Sequence, residues 1–274
     1  DRVRQIEACG AQTGPVLLAH PDHPSLTLVT ATTRHVAPDA EAITPDGVTH
    51  RLWEVSRPSD IATITRAFQT MRAVYIADGH HRSAAAARVA AGRPDSAVAQ
   101  AFLAVSFPIR EMKILDYNRV VADLGGRDPE AFLAAIAESF TVTPVAGPAR
   151  PEAAGRFGLY LAGHWYQLGL KEPVPADPVA RLDVSLLSDR LLAPLLDITD
   201  PRRDPRIDFI GGRRGLDALS ARVDSGAAAA AFALFPTAME DLIAVADAGQ
   251  VMPPKSTWFE PKLADGLVSY LLEG

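Results

Sequence analysis

The sequence is poor in cysteine, and its single Cys9 excludes an intrachain disulfide bond. One thiol in 274 residues fits a reducing compartment, so we expect a cytoplasmic protein. Cys9 precedes Gly10 without any motif around it, and this context does not favour a nucleophilic cysteine.

Long apolar runs and an excess of positive charge are also missing. No stretch reaches the length of a transmembrane helix, and the charged opening Asp1-Arg2-Val3-Arg4 is unlike a signal peptide. The formal net charge of -6 argues against a general nucleic-acid surface, although it allows a local basic pocket. We therefore expect neither membrane nor nucleic acid as a partner, while a homo-oligomer stays open.

The composition that is present is that of a globular protein, with 48% hydrophobic and 22% charged residues. The length suits one large domain or two smaller ones. The stretch Pro144–Pro151 is rich in proline and predicts a linker. We expect an α/β or α+β fold, with a phosphate-binding region over 1–145 and a second α/β region over 151–274 that completes the site.

Several segments have clear periodicity. Strands are predicted at Leu26–Thr30 and Leu267–Leu272, and at Ala227–Phe235 with helix as the alternative. One hairpin is predicted in which Met112–Tyr117 pairs beside the apolar strand Ala101–Phe107 and Asn118–Val121 ends the motif, and a second is predicted over 156–170. Helices are predicted from Asp128 to about Phe140 and over Leu182–Leu195.

The most informative stretch changes from strand to helix around an exposed turn. Ala73–Ala77 is apolar and predicts a strand, Asp78-Gly79 predicts a turn, and an alanine-rich helix is expected from about Ser83 to Ala91. The turn carries polar side chains from Asp78, His80, His81, Arg82 and Ser83.

This turn has the features of a phosphate site. The free N–H groups at a helix start favour an anion, the Arg82 guanidinium forms a fork suited to phosphate, and Gly79 permits close approach of a ligand. Alternatively, Asp78 is only an N-cap and Arg82 only a surface residue. A metal on His80 and His81 is not favoured, because adjacent helical residues point in different directions; we expect no metal site.

A second polar stretch lies at 251–262. Its three prolines hold the backbone extended, and it presents Lys255, Ser256, Thr257 and Lys262 beside aromatic residues. That arrangement suits an anionic ligand with an apolar or ring-bearing part, and a solvated loop is the alternative. We expect this stretch to face the same cleft as Gly79–Arg82.

The Asp-Gly-His-His-Arg turn and the Met-Pro-Pro-Lys-Ser-Thr-Trp-Phe-Glu-Pro-Lys-Leu segment together resemble the domain of unknown function 1015 family. The runs Leu182–Leu187 and Ala231–Thr237 share the resemblance, which covers nearly the whole chain. In the polar strand-to-helix turn, that family is similar to the free-serine kinases and to the wider ParB/sulfiredoxin superfamily. The resemblance implies a ParB/sulfiredoxin-like core with a C-terminal α/β extension.

The same resemblance implies a function. It makes Gly79, His80, His81 and Arg82 a cradle for nucleotide phosphates and Asp78 a polar or acid/base neighbour. The implied activity is phosphoryl transfer from ADP or ATP, with Mg²⁺ bridged by the phosphates, to a small hydroxyl compound, with free L-serine as a candidate. A nucleotide-binding regulatory switch without turnover is the rival, and a structural assembly protein is a weaker one.

Phosphoryl transfer to a hydroxyl group also requires a catalytic base. In the serine kinases a catalytic glutamate lies N-terminal to the phosphate turn, and the resemblance implies a segment that precedes Asp1 and supplies it. Within the chain Glu54 and Asp78 are the candidate bases. Asn118, Arg119 and Lys262 are further candidates for the site.

Overall fold

The computed structural model describes residues 2–45, 47–260 and 262–272. The chain divides into two compact units: Asp1–Met112 with Pro261–Gly274 form the first, and Lys113–Glu260 form the second. Each unit combines helices with β-sheet, which confirms the predicted α/β class. Over the described ranges, no helix has both the length and the apolar character needed to cross a bilayer.

The strands are, in chain order, β1 (Ala11–Gln12), β2 (Val16–His20), β3 (Ala40–Ile43), β4 (Thr49–Leu52), β5 (Tyr75–Asp78), β6 (Ala104–Pro108), β7 (Lys113–Leu115), β8 (Tyr117–Val121), β9 (Phe140–Val145), β10 (Arg156–Leu161), β11 (His164–Leu170), β12 (Ile207–Gly211), β13 (Ala230–Leu234), β14 (Trp258–Glu260) and β15 (Tyr270–Leu271). The helices are α1 (Arg2–Cys9), α2 (Pro24–Thr33), α3 (Pro58–Thr70), α4 (His80–Gly92), α5 (Pro129–Ser139), α6 (Asp183–Leu187), α7 (Ala193–Leu196), α8 (Asp217–Asp224) and α9 (Met239–Asp247). A π-helical turn, Ser188–Leu192, joins α6 to α7.

A three-stranded sheet in the order β5-β2-β6 organises the first unit. The central strand β2 runs antiparallel to β5 and parallel to β6, and neighbours on both sides keep it almost fully buried. Near the chain ends β1 pairs with β15, which holds the C-terminal segment against the N-terminal one. This sheet positions the strand-to-helix turn at the end of β5.

A six-stranded antiparallel sheet in the order β12-β8-β13-β10-β11-β9 organises the second unit. Because side chains alternate between the faces of a strand, the sheet buries apolar residues on both sides. Leu159 and Phe232 join one core cluster with the helical segment 183–196, and Tyr160 and Ala231 join a second with α8. The predicted hairpin over 156–170 is confirmed, and the strand predicted at Ala227–Phe235 is confirmed over Ala230–Leu234.

The strand prediction for Leu26–Thr30 is wrong, because this segment lies within helix α2. Pro24 occupies the first turn of that helix, where its fixed φ is favourable and its missing N–H costs nothing. The hydroxyl of Thr30 donates to the carbonyl of Leu26 at 2.7 Å, one turn back. This bond satisfies the hydroxyl group within the helix, so threonine needs no partner outside it.

The predicted pairing of Met112–Tyr117 with Ala101–Phe107 is also wrong. Strand β6 pairs with β2, whereas β7 pairs with β14 and β8 pairs with β12 and β13. The two predicted partners therefore belong to different sheets, and their neighbours come from distant parts of the chain. Of the predicted strand Leu267–Leu272, only Tyr270–Leu271 is extended and paired.

The expected linker at 144–151 lies inside the second unit. Pro144 and Val145 belong to β9 and face Tyr166 and Trp165 across the ladder. Proline is tolerated there because β9 is the edge strand of the sheet. The chain passes from the first compact unit to the second after Met112 and leaves the second after Glu260. The predicted roles of 1–145 as a phosphate-binding region and of 151–274 as the region that completes the site stay predictions.

Candidate functional site

The strand-to-helix turn forms as the sequence indicates, but its helix begins earlier. Strand β5 ends at Asp78, Gly79 adopts a left-handed conformation with φ of +91°, and α4 begins at His80 rather than near Ser83. The carbonyl of Gly79 accepts from the backbone N–H groups of both Arg82 and Ser83, which closes the first turn. The polar residues predicted for the loop therefore lie on the helix N-terminus itself.

The turn approaches the central strand closely. A Cβ atom built on Gly79 would lie 3.3 Å from the Cα of Val16 and 3.3 Å from Nε of Arg82. The backbone N–H of Gly79 donates to the Asp78 carboxylate at 2.7 Å, which fixes that side chain at the end of the strand. Glycine is needed here for both its positive φ and its lack of a side chain.

We expect Gly79→Ala to cost roughly 1–2 kcal/mol of unfolding free energy, since the left-handed conformation strains an L-residue. Because the strain falls on the turn, the affinity expected of this turn for a phosphate group should weaken as well. Chemical denaturation and calorimetry measure the two effects. Gly92→Ala is the matched control, because a Cβ at that helix end meets nothing within 4 Å; equal losses in both variants would contradict a special role of Gly79.

Charged groups of both signs surround the turn. Nη1 of Arg82 lies 3.0 Å from Oδ1 of Asp265, and Nζ of Lys262 lies 3.8 Å from Oδ2 of Asp78. The side chain of Arg82 is 28% exposed, whereas that of Asp265 is 69% exposed. An ion pair with one partner so exposed is weak, so an incoming anion can displace the Asp265 carboxylate from Arg82.

Asp265 and Gly14 are the residues that sequence reasoning missed. A Cβ on Gly14 would lie 2.7 Å from Oδ1 of Asp265 and 2.9 Å from Nη1 of Arg82, so glycine leaves the room in which the pair forms. A small cavity of about 90 Å³ lies beside Arg82 and Asp265. In the sequence, Gly14-Pro15 and Asp265-Gly266 read only as turns, and nothing there signals that they meet.

The same unit contains a larger cavity of about 510 Å³. Trp53, Phe68 and Phe107 contribute aromatic walls, and His20 and Ser106 contribute a polar patch in which Nδ1 of His20 lies 2.7 Å from Oγ of Ser106. Burial lowers the pKa of His20, outweighing the opposing effect of the Asp22 and Glu111 carboxylates. The imidazole of His20 is therefore neutral at physiological pH.

Strand β2 connects this cavity to the turn. Val16, beside Gly79, and His20, in the cavity wall, are four residues apart on one strand, so their side chains share a face. Their separation is roughly 13 Å at about 3.3 Å per residue. The sequence analysis did not identify this cavity, because its walls come from four separate segments of the chain.

The structure places the other predicted residues as follows. Lys262 lies beside the turn, because its ammonium group forms an ion pair with the carboxylate of Asp78. Glu54 is exposed, and its backbone N–H donates to Asp39 at 2.6 Å. Lys255, Ser256, Thr257, Asn118 and Arg119 belong to the second unit, and their expected place beside the turn stays a prediction.

Within the second unit, Asn118 and Ser256 are buried and hydrogen-bonded. Asn118 Oδ1 accepts from the N–H of Leu234 at 2.9 Å, and its Nδ2 donates to Asp116 at 2.5 Å. The Ser256 hydroxyl donates to the carbonyl of Pro253. Lys255 has a left-handed φ of +57° and places its ammonium 5.6 Å from the centre of the Tyr117 ring.

Comparison with known proteins gives one family and several solved structures. Residues 1–185 match the profile of a family described as protein of unknown function, DUF1015. The chain is similar to a free serine kinase in complex with AMP, at 15% identity and a TM-score of 0.42, covering 94% of this chain and 77% of that one. It is similar to a conserved hypothetical protein from Pyrococcus furiosus, at 16% identity and a TM-score of 0.43, covering 99% and 86%. No curated protein matches.

Proposed function

Since this chain belongs to the DUF1015 family, whose description assigns no activity, we propose from its own residues that it is a nucleotide-dependent phosphotransferase acting on a small hydroxyl compound. One observation carries the proposal. The half-buried Arg82 lies in the first turn of α4, next to Gly79, whose lack of a side chain lets a ligand approach the backbone, and its counter-ion is the exposed carboxylate of Asp265. A phosphate gains both the guanidinium fork and the helix N–H groups in place of that weak pair.

The cavity on the same face of β2 favours a nucleotide over a simple phosphate. Its aromatic walls and neutral His20–Ser106 pair suit a heteroaromatic base, which needs apolar contact and a few hydrogen bonds. The roughly 13 Å between Val16 and His20 is on the scale of an extended nucleotide. The base would occupy the cavity and the phosphates the turn.

The turn residues then have distinct tasks. Arg82 and the N–H groups of the helix start would stabilise charge on the transferred phosphoryl group. Asp78, held by Gly79 and close to Lys262, is the carboxylate at hand to orient or deprotonate the acceptor hydroxyl. Mg²⁺, when bound, would neutralise phosphate charge. The carboxylates of Asp78 and Asp265 would offer the oxygen ligands that Mg²⁺ prefers.

The test is an assay of phosphorylated product by ³¹P NMR, with ADP or ATP, Mg²⁺ and a panel of hydroxyl compounds that begins with L-serine. We expect turnover that falls about 10²–10⁴-fold in Asp78→Asn, the range for loss of a general base, while ADP binding is kept. Asp95→Asn, an exposed aspartate beyond α4, is the control and should behave as wild type. Full activity of Asp78→Asn would remove Asp78 from this role.

A regulatory switch is the second candidate, and the Arg82–Asp265 pair favours it. Asp265 belongs to the C-terminal segment that ends in strand β15, so a phosphate that displaces it would release one anchor of that segment. Tight nucleotide binding without turnover for any acceptor, accompanied by a change in protection of residues 262–272 from hydrogen exchange, would support this reading over the phosphotransferase.

A further inference from the structure

Arg119 is a buried cation that forms no ion pair with any of the residues the structure describes. It lies on strand β8, it is 4% exposed, and its guanidinium stands 5.2 Å from the centre of the Phe209 ring. Nη2 donates to the carbonyl of Lys255 at 3.0 Å, and Nη1 donates to the carbonyl of Tyr117. In the part of the chain that the structure describes, no carboxylate lies within ion-pair distance of it.

Such an arrangement costs free energy. A buried charge loses its hydration, and two neutral carbonyls replace only part of it. Burial lowers the pKa of Arg119 to about 9, so the side chain is still the cation at neutral pH. Guanidinium has five N–H donors, of which two are used here. An anion is the best partner for the remaining N–H donors, because it accepts their hydrogen bonds and also neutralises the charge.

A cavity of about 550 Å³ reaches this guanidinium. That volume lies within the range of small-molecule sites, about 300–1,000 Å³. Ser185, Ser188 and Gln250 supply neutral polar groups to its wall, and Pro253 and Pro254 supply an apolar side. Ser188 begins the π-helical turn, a local distortion that is frequent at functional sites and turns side chains out of the regular helical register.

The other charges of the cavity restrict the ligand. Asp177 and Asp189 also line the cavity. Both aspartates are exposed, whereas Arg119 is buried, so the carboxylates lie nearer to the solvent than the guanidinium does. Asp177 is ionised, because hydrogen bonds from Gln250 and from the backbone of Ala180 lower its pKa. Two carboxylates at the mouth repel a polyphosphate, whereas one small, singly charged anion can be held by one arginine.

We propose that this cavity binds a small carboxylate-bearing molecule, with its carboxylate paired to Arg119 and a hydroxyl group toward Ser185 and Ser188. Carboxylate matches the planar guanidinium fork, which makes two parallel hydrogen bonds to it. This site lies wholly in the second unit and does not depend on the phosphotransferase proposal.

The test uses L-lactate as the probe, with acetate as the carboxylate that lacks a hydroxyl and inorganic phosphate as the competing anion. Binding to the full chain is followed by NMR titration at millimolar concentrations, and each anion's effect on the melting temperature provides a second readout, since a ligand that binds the native state stabilises it. We expect lactate to bind more tightly than acetate, and phosphate to have no comparable effect.

Arg119→Met should abolish this binding, with an affinity loss of at least tenfold. The variant is expected to fold, because methionine has a similar length and removes the desolvation cost of a buried charge that has no ion-pair partner. The control is Arg222→Met, which removes an exposed arginine of helix α8 that forms an ion pair with Asp208. This variant should bind lactate as wild type does. Were Arg119→Met unfolded, Ser188→Ala should still weaken lactate relative to acetate.

Three results would overturn the proposal. They are equal lactate binding by wild type and a folded Arg119→Met, binding of phosphate in preference to both carboxylates, and failure of every probe to bind the wild-type chain.

Discussion

Replacing Arg82 by alanine should weaken ADP binding by roughly 1.5–3 kcal/mol, the range for hydrogen bonds to a charged group, or about 10- to 150-fold in affinity. The physical reason is that Arg82 combines a guanidinium fork with a position in the first turn of α4, where the helix N–H groups also attract anions. Calorimetry at one fixed salt concentration measures the change, because phosphate contacts are weakened by salt.

Two companion variants make this experiment specific. Asp265→Asn removes the competing carboxylate from Arg82 and should tighten ADP binding by up to about 1 kcal/mol, the worth of an exposed ion pair. Arg88→Ala, a change of an exposed arginine further along the same helix, should leave affinity unaltered. An unchanged affinity in folded Arg82→Ala, or a loss in Asp265→Asn, would exclude Arg82 as the phosphate ligand.

The stability of the second unit should fall as pH rises from about 4 to about 7, because of Asp183. Burial raises the pKa of this carboxyl to about 7, against the opposing influence of the backbone N–H groups of Gly155 and Phe235. The Gly155 N–H donates to Oδ1 at 2.7 Å, while Oδ2 is buried without a hydrogen bond in the described structure.

The sign follows from proton uptake. The folded-state pKa lies above the unfolded value of 3.8, so the native state holds more protons across that window and loses stability as pH rises through it. Between pH 5 and pH 8 the loss should be roughly 2–3 kcal/mol, at about 1.4 kcal/mol for each pH unit up to the folded pKa. Below pH 4 this contribution is fully present.

Denaturant unfolding at several pH values, compared between wild type and Asp183→Asn, isolates this residue from the other titrating groups. The amide cannot ionise, so its free energy of unfolding should lack the component assigned to Asp183 and exceed that of wild type at pH 8. Asp189→Asn, an exposed aspartate on the same helical segment, is the control. Parallel pH profiles for wild type and Asp183→Asn would contradict a buried carboxyl of raised pKa.

The sequence alone determined the elements whose signals are local. Asp128 caps helix α5 by accepting from the N–H of Ala131, and Pro129 fits the first turn, so this helix is readable from three adjacent residues. The Asp78-Gly79 turn is equally local, because only glycine takes its backbone conformation without strain. The family, too, was recognisable from short polar motifs.

Where local signals compete, the sequence misled. Leu26–Thr30 has the composition of a strand, yet it lies in a helix that begins at Pro24, where proline favours a helix start. The partners of β7 and β8 lie more than eighty residues away. Pairing between distant strands is decided by the burial of whole sheet faces, which no short window of sequence contains.

Only the tertiary structure decided which charges meet. The ion pair between half-buried Arg82 and exposed Asp265, for which Gly14 leaves room, joins residues 183 positions apart. Arg119 reads in sequence as one more charged residue in a strand, and its burial beside a cavity follows from the packing of the six-stranded sheet against the helical segment 183–196. Solvation depends on everything that surrounds a group in space, and therefore the electrostatics of both sites could be known only once the chain was folded.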